Sequence, residues 1–279
     1  MSMKSILAYL PNKKTAARLT RTAGNLGLEI NGHLIGFHAI PPFPIYGAMA
    51  AEVSAEIIET QNRILKEEAE ETRAEFERVM NSLGVQAEWR CMESWDGDKG
   101  SSVTALARNV DLVVIDQGAD EDYLDSKDLP ARLVLESGRP VLVIPSFGEY
   151  SEIGRNILLA WNNSRESARA CFDALPFMKR ADEVKILTIN QESDFESKSF
   201  SPVDDLALSL SRHDIKVETH NVAHTTISVS NEILSRAADF GSDLLVMGCY
   251  GHSRLRETVF GGVTRDILKS MSLPVLMSH

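Results

Sequence analysis

A chain of 279 residues buries most of the surface its unfolded form exposes, so it needs neither disulfides nor metal to hold a core. Its 43% hydrophobic and 25% charged residues are those of a soluble globular protein, and no apolar run approaches the roughly 20 residues of a membrane helix. A net charge of −11 argues against sequence-independent nucleic-acid binding, which relies on clustered Lys and Arg, yet leaves a local site free to hold a small anion.

The start, MSMKSILAYLPNKKTAARL, has no cleavage-like end to an apolar region and reads as a first strand and helix. In the first half the pattern predicts strands at Ser5–Leu10, His33–Ala39, Gln86–Cys91, Asp111–Ile115 and Pro140–Ile144. Runs such as LVVI and VLVI are apolar at consecutive positions, as expected of strands covered on both faces. A helix is predicted over Glu52–Leu83, where Val53, Ile57, Leu65, Ala69, Thr72, Phe76, Met80 and Leu83 recur at helical spacing. The second half repeats the alternation. Its strands are expected at Asn156–Ala160, Val184–Ile189, Lys216–Asn221, Asp243–Met247 and Pro274–Met277, with helices at Ser164–Leu175, Val203–Arg212, Ser228–Phe240 and Val263–Met271. Strands alternating with helices imply βαβ units and parallel sheets, the doubly wound α/β class.

The halves also match in residues. NVDLVVIDQGAD (109–120) resembles GSDLLVMGCYGH (241–252), and GRPVLVIPS (138–146) resembles SLPVLMSH (272–279). The spacing from Asp111 to Pro140 is 140 − 111 = 29, and from Asp243 to Pro274 it is 274 − 243 = 31, so the halves are in register apart from two residues. Ser146–Arg155 is the natural junction, giving domains at 1–146 and 155–279. Two copies of one unit are expected to pack as an internal pseudo-dimer.

The most informative segment runs from Met247 through Gly248 and Gly251 to Gly261, Gly262, Val263 and Thr264. Glycines after a strand let the backbone turn and approach a ligand. A helix starting near Val263 offers unpaired N–H groups and the positive end of its dipole, which suits phosphate. In an open α/β sheet the crevice beyond the strands' carboxyl ends is also where ligands bind. The same glycines fit a tight turn capping two helices.

The spacing Gly-x2-Gly-x9-Gly, followed by a helix and a Pro-Val-Leu strand, resembles the nucleotide-binding signature of the universal stress protein family. The alternation of elements extends the resemblance along the whole chain, as two Rossmann-like domains of the adenine nucleotide alpha hydrolase type. The resemblance implies an adenine nucleotide, ATP, ADP or AMP, with Mg2+ accompanying ATP. Gly248, Gly251, Gly261 and Gly262 would hold ribose and phosphates, with Met247, Val263, Thr264 and Arg254 around them and Ala160, Trp161 and Asn162 across the cleft. Two positions depart from the family: Gly262 stands where Ser or Thr is usual, and Asn162 where Asp is common. In the first half Asp116 and Ala119 replace the first two glycines, an acidic run 120–125 follows, and Leu10 takes the family's Asp position. That copy is expected to bind no polyphosphate.

The resemblance implies a cytoplasmic, non-catalytic regulator of the stress response, acting through a protein partner and as a homo-oligomer or pseudo-dimer. A nucleotide-independent scaffold and a slow ATPase are the alternatives; no Walker lysine is present. The three cysteines, Cys91, Cys171 and Cys249, form no CxxC, which argues against zinc and fits a reducing compartment. His220 and His224, four apart on a predicted strand, are about 13 Å apart and cannot share an ion. His252 and Ser253 are neighbours in sequence and make a poor nucleophile and base. Trp161 either borders a ligand or packs at a strand end. The apolar loop Pro41–Ala51 is a lid, an oligomer contact or packing.

Overall fold

The structure, a computed structural model, describes residues 3–40, 54–85, 87–93, 99–118, 129–189, 202–250 and 262–279. It divides into two compact units, Met3–Arg139 and Pro140–His279.

In the unit Met3–Arg139, strands β1 (Ser5–Tyr9), β2 (His33–Ile40), β3 (Ala87–Glu93) and β4 (Leu112–Asp116) pair in parallel in the order β3-β2-β1-β4. Helix α1 (Lys13–Ile30) starts where the Asn12 side chain accepts the Thr15 N–H at 3.0 Å, and stops at Asn31 in the left-handed region. It buries Ala16, Leu19, Ala23 and Leu26 at helical spacing. Helix α2 (Ala55–Leu83) begins behind the Ser54 cap and ends at Gly84, whose φ of 67° suits glycine. Shorter helices α3 (Lys99–Ala107) and α4 (Leu129–Glu136) complete the unit.

In the other unit, β5 (Val141–Ile144), β6 (Asn156–Ala160), β7 (Glu183–Ile189), β8 (Val217–Val222), β9 (Leu244–Gly248) and β10 (Val275–Ser278) lie in the order β5-β10-β9-β6-β7-β8. All neighbours are parallel except β5 and β10, which run antiparallel with Leu142 opposite Leu276. That pairing places Pro140–Ile144, read in sequence as the last strand of the first half, in the compact unit of the second. Helices α5 (Arg165–Asp173), α6 (Leu175–Met178), α7 (Pro202–Ser211), α8 (Val229–Asp239) and α9 (Gly262–Ser270) connect the strands. Leu244, Leu245 and Val246 of β9 and Val275, Leu276 and Met277 of β10 are wholly buried. At about 1.5–3 kcal/mol for each large apolar side chain, these central strands anchor the unit.

Asp111 and Asp243, predicted as the first residues of strands, stand just before β4 and β9 and use their carboxylates to start a neighbouring strand. Asp111 accepts the N–H groups of Lys4 and Ser5 at 2.8 and 3.0 Å and the Ser5 hydroxyl at 2.9 Å. Asp243 accepts those of Gly154, Arg155 and Asn156 at 2.9, 2.9 and 3.1 Å. A side chain committed to another strand's backbone takes its residue out of the regular ladder. Burial works to raise the Asp111 carboxyl, but these donors and Arg139 outweigh it and hold the group below the usual carboxylate range.

Candidate functional site

Strands β6 and β9 are parallel neighbours, with Ala160 opposite Met247 at their carboxyl ends. Beyond those ends, the starts of α5, α8 and α9 surround a cleft of about 310 Å³. Eight of the residues singled out in sequence line it: Ala160, Trp161 and Asn162 after β6, Met247 and Gly248 ending β9, and Gly262, Val263 and Thr264 opening α9. Gly251, Arg254 and Gly261 lie outside the described residues, as do the acidic run 120–125 and the loop 41–51. The sequence reading missed the apolar wall from Leu187 and Ile189 of β7 and Val229 and Ile233 of α8. It also missed Ser164, Glu166 and Ser167, although S-x-x-S ahead of a helical pattern is a cap signal.

The two glycines do different work. A Cβ at Gly248 would overlap the backbone of Glu166 and Ser167, reaching within 2.7 Å of the Glu166 carbonyl oxygen. Gly248 thus lets α5 rest on the end of β9, a close backbone approach within the protein that only glycine allows. At Gly262 a Cβ would meet nothing within 4 Å among the described residues.

The two helix starts flanking the cleft also differ. At α5, Ser164 and Ser167 cap each other's backbone N–H groups, and the buried Glu166 carboxylate sits in the first turn. Burial works to raise Glu166, and the outcome is nonetheless a lowered carboxyl, because its own N–H, the Ser164 hydroxyl and Arg165 all favour the charged form. The α9 start carries no acidic residue in its first turn. Next to it the buried Thr264 hydrogen-bonds the Cys249 thiol, whose pKa is raised by burial with that bond working the other way. This fixes the turn after β9, where Tyr250 takes a positive φ of 60°. The Cys249 carbonyl in turn accepts from His279 Nδ1 at 2.9 Å, which assigns the ring proton there.

Residues 154–279 match the universal stress protein family. The match covers the second half of the chain. Among curated relatives, a universal stress protein of Synechocystis is 50% identical over 38 residues, and one of Methanocaldococcus jannaschii 39% over 46. These matches cover 14% and 16% of this chain but only 13% and 28% of the relatives' own lengths. A universal stress protein of Archaeoglobus fulgidus superposes over 98% of this chain and 95% of its own, with a TM-score of 0.72 at 14% identity. The tandem fold is therefore common to the two chains. Another Archaeoglobus fulgidus universal stress protein, solved in complex with dAMP, matches 51% of this chain at 16% identity and a TM-score of 0.35.

The corresponding strand ends of the unit Met3–Arg139 are built otherwise. Asp116 ends β4 as Gly248 ends β9, and its carboxylate pairs with Arg18 of α1 and accepts the Gly118 N–H at 2.6 Å. Leu10 N donates to Phe37 O at 2.8 Å as Trp161 N does to Leu187 O at 2.9 Å, so Leu10 corresponds to Trp161. Pro11, one residue on from the position expected in sequence, is then the counterpart of Asn162. A proline there has no side-chain polar group to offer a ligand.

Proposed function

We propose that the second half of the chain binds an adenine nucleotide, ATP, ADP or AMP, as a non-catalytic regulator of a stress response in the cytoplasm. The observation that carries this reading is the convergence on one cleft of Ala160–Asn162, Met247–Gly248 and the start of α9, whose first turn holds no acidic residue. The cleft has a polarity of its own. Leu187, Ile189, Val229 and Ile233 offer an apolar wall suited to a base. The α5 start is occupied by Ser164, Ser167 and a charged Glu166, which repels phosphate. The α9 start has no acidic residue in its first turn, and its N–H groups and dipole would suit an anion. Phosphates therefore belong at Gly262–Thr264 and the base toward β7. Magnesium would arrive with ATP, held by its phosphates.

Repeats at 1–146 and 155–279 would then divide the labour, with the first giving its strand ends to the Asp116–Arg18 pair in place of a ligand. Among the described residues no helix is long and apolar enough to cross a membrane.

Thermal-shift titration with ATP, ADP and AMP, with and without magnesium, tests the reading. A ligand at 100 times its Kd stabilises by about 2.7 kcal/mol, a rise of roughly 5 °C for a chain this size. Gly262→Asp is the matched control: an acidic residue in the first turn of α9 suits the helix dipole, so folding is kept while phosphate is repelled. A flat response of the wild type at millimolar nucleotide, or an undiminished shift in Gly262→Asp, would overturn the assignment and leave a nucleotide-independent scaffold.

A further inference from the structure

Trp161 is 8% exposed and lines the cleft. Its backbone is provided for, since Trp161 N donates to the Leu187 carbonyl at 2.9 Å. Its side chain is not. The indole Nε1 is closed to water and has no hydrogen-bond partner among the described residues. An indole nitrogen donates and never accepts, so no rearrangement of neighbouring donors can satisfy it. A buried donor left without an acceptor costs about 1–3 kcal/mol, and such groups are few in native proteins. Phenylalanine would keep an aromatic ring there and carry no such donor.

We propose, on the basis of the nucleotide reading above, that the Trp161 indole N–H is the recognition donor for the heteroaromatic base, taking a ring-nitrogen or carbonyl acceptor of the ligand. Two observations converge on it. Trp161 lines the cleft together with Leu187 and Ile189, whose apolar side chains suit a base, and its backbone is bonded to Leu187. Asn162, the next residue, offers a carbonyl oxygen and an amide in the same cleft, but that oxygen already accepts the Ser164 N–H at 3.2 Å. The indole N–H is thus a donor not already engaged within the protein. The second aromatic torsion of tryptophan is broad, so a modest turn of the ring brings the N–H to the cleft. Because the donor has no water bond to give up, the bond to the ligand is not offset by one broken elsewhere.

The consequence is selectivity. A ligand with a base gains this bond, and a sugar phosphate without one does not. The experiment compares AMP and ribose 5-phosphate by calorimetry on wild-type protein and on Trp161→Phe. Trp161→Phe should bind AMP about ten-fold more weakly, the effect of one such bond, and leave ribose 5-phosphate unchanged. Equal AMP affinity in the two proteins overturns the proposal while leaving the nucleotide site in place. An equal loss for both ligands also overturns it, because the indole would then act through shape. If wild-type protein binds no AMP, the functional reading itself fails and this proposal falls with it.

Discussion

The ends of β4 and β9 hold equivalent positions in a duplicated chain and solve the same packing problem in opposite ways. At β9, Gly248 has no side chain, and the backbone of α5 closes directly over it. At β4, Asp116 fills the corresponding place and reaches Arg18, which stands six residues past the Asn12 cap of α1. Six residues past the Ser164 cap of α5 stands Ala170, wholly buried. One copy therefore pairs small with small and leaves a cleft, and the other pairs acid with base inside its own fold. A duplicated fold can lose a ligand site without losing the packing that surrounds it, provided the replacement supplies its own partner.

Three substitutions sharpen or break this comparison. Gly248→Ala should be the most damaging, because its Cβ meets fixed backbone and not the end of a flexible side chain. A loss of about 3 kcal/mol in urea unfolding is expected. A fully stable variant would mean that α5 does not rest on β9 as described. Arg18→Met, which keeps the length of the side chain and removes its charge, should cost about 2 kcal/mol by taking the cation from the largely buried Asp116. Adding Asp116→Val should restore much of that loss, since an apolar pair of similar volume replaces a buried ion pair at little cost. If the double variant is no better than Arg18→Met, the pair is not the local replacement for a glycine.

Asp111→Asn should have the smallest effect at neutral pH, about 1 kcal/mol. Its signature lies in the pH dependence. The folded-state carboxyl sits below its usual value, so its contribution is complete above the unfolded pKa and is lost as pH falls through the folded one. Urea midpoints followed from about pH 7 down to pH 2 should show a shallower acid limb in the variant than in wild type. An unchanged limb would mean that the Lys4 and Ser5 donors do not hold the charge.

The sequence alone carried the α/β class, the duplication and eight of the residues that line the cleft, because strand and helix periods, glycine spacing and the repeated Asp are local signals. The eight residues that meet in the cleft come from three segments, each ending a strand or opening a helix, and that is legible from element boundaries alone. What those residues do for one another is set by contacts between distant parts of the chain. Asp116 and Arg18 are 98 residues apart and no local pattern links them. The antiparallel pairing of β5 with β10 sets Leu142 opposite Leu276 from distant parts of the chain, and neither strand's own sequence encodes it. Gly248 reads in sequence as clearance for a ligand; only the packed helix shows that the clearance is used by Glu166 and Ser167. Likewise the tryptophan was visible as a residue beside a strand end, and only burial on every side showed its N–H to be without an acceptor. Periodicity fixes which face of each element is apolar; the folded chain decides which backbone, charge or donor comes to lie against it.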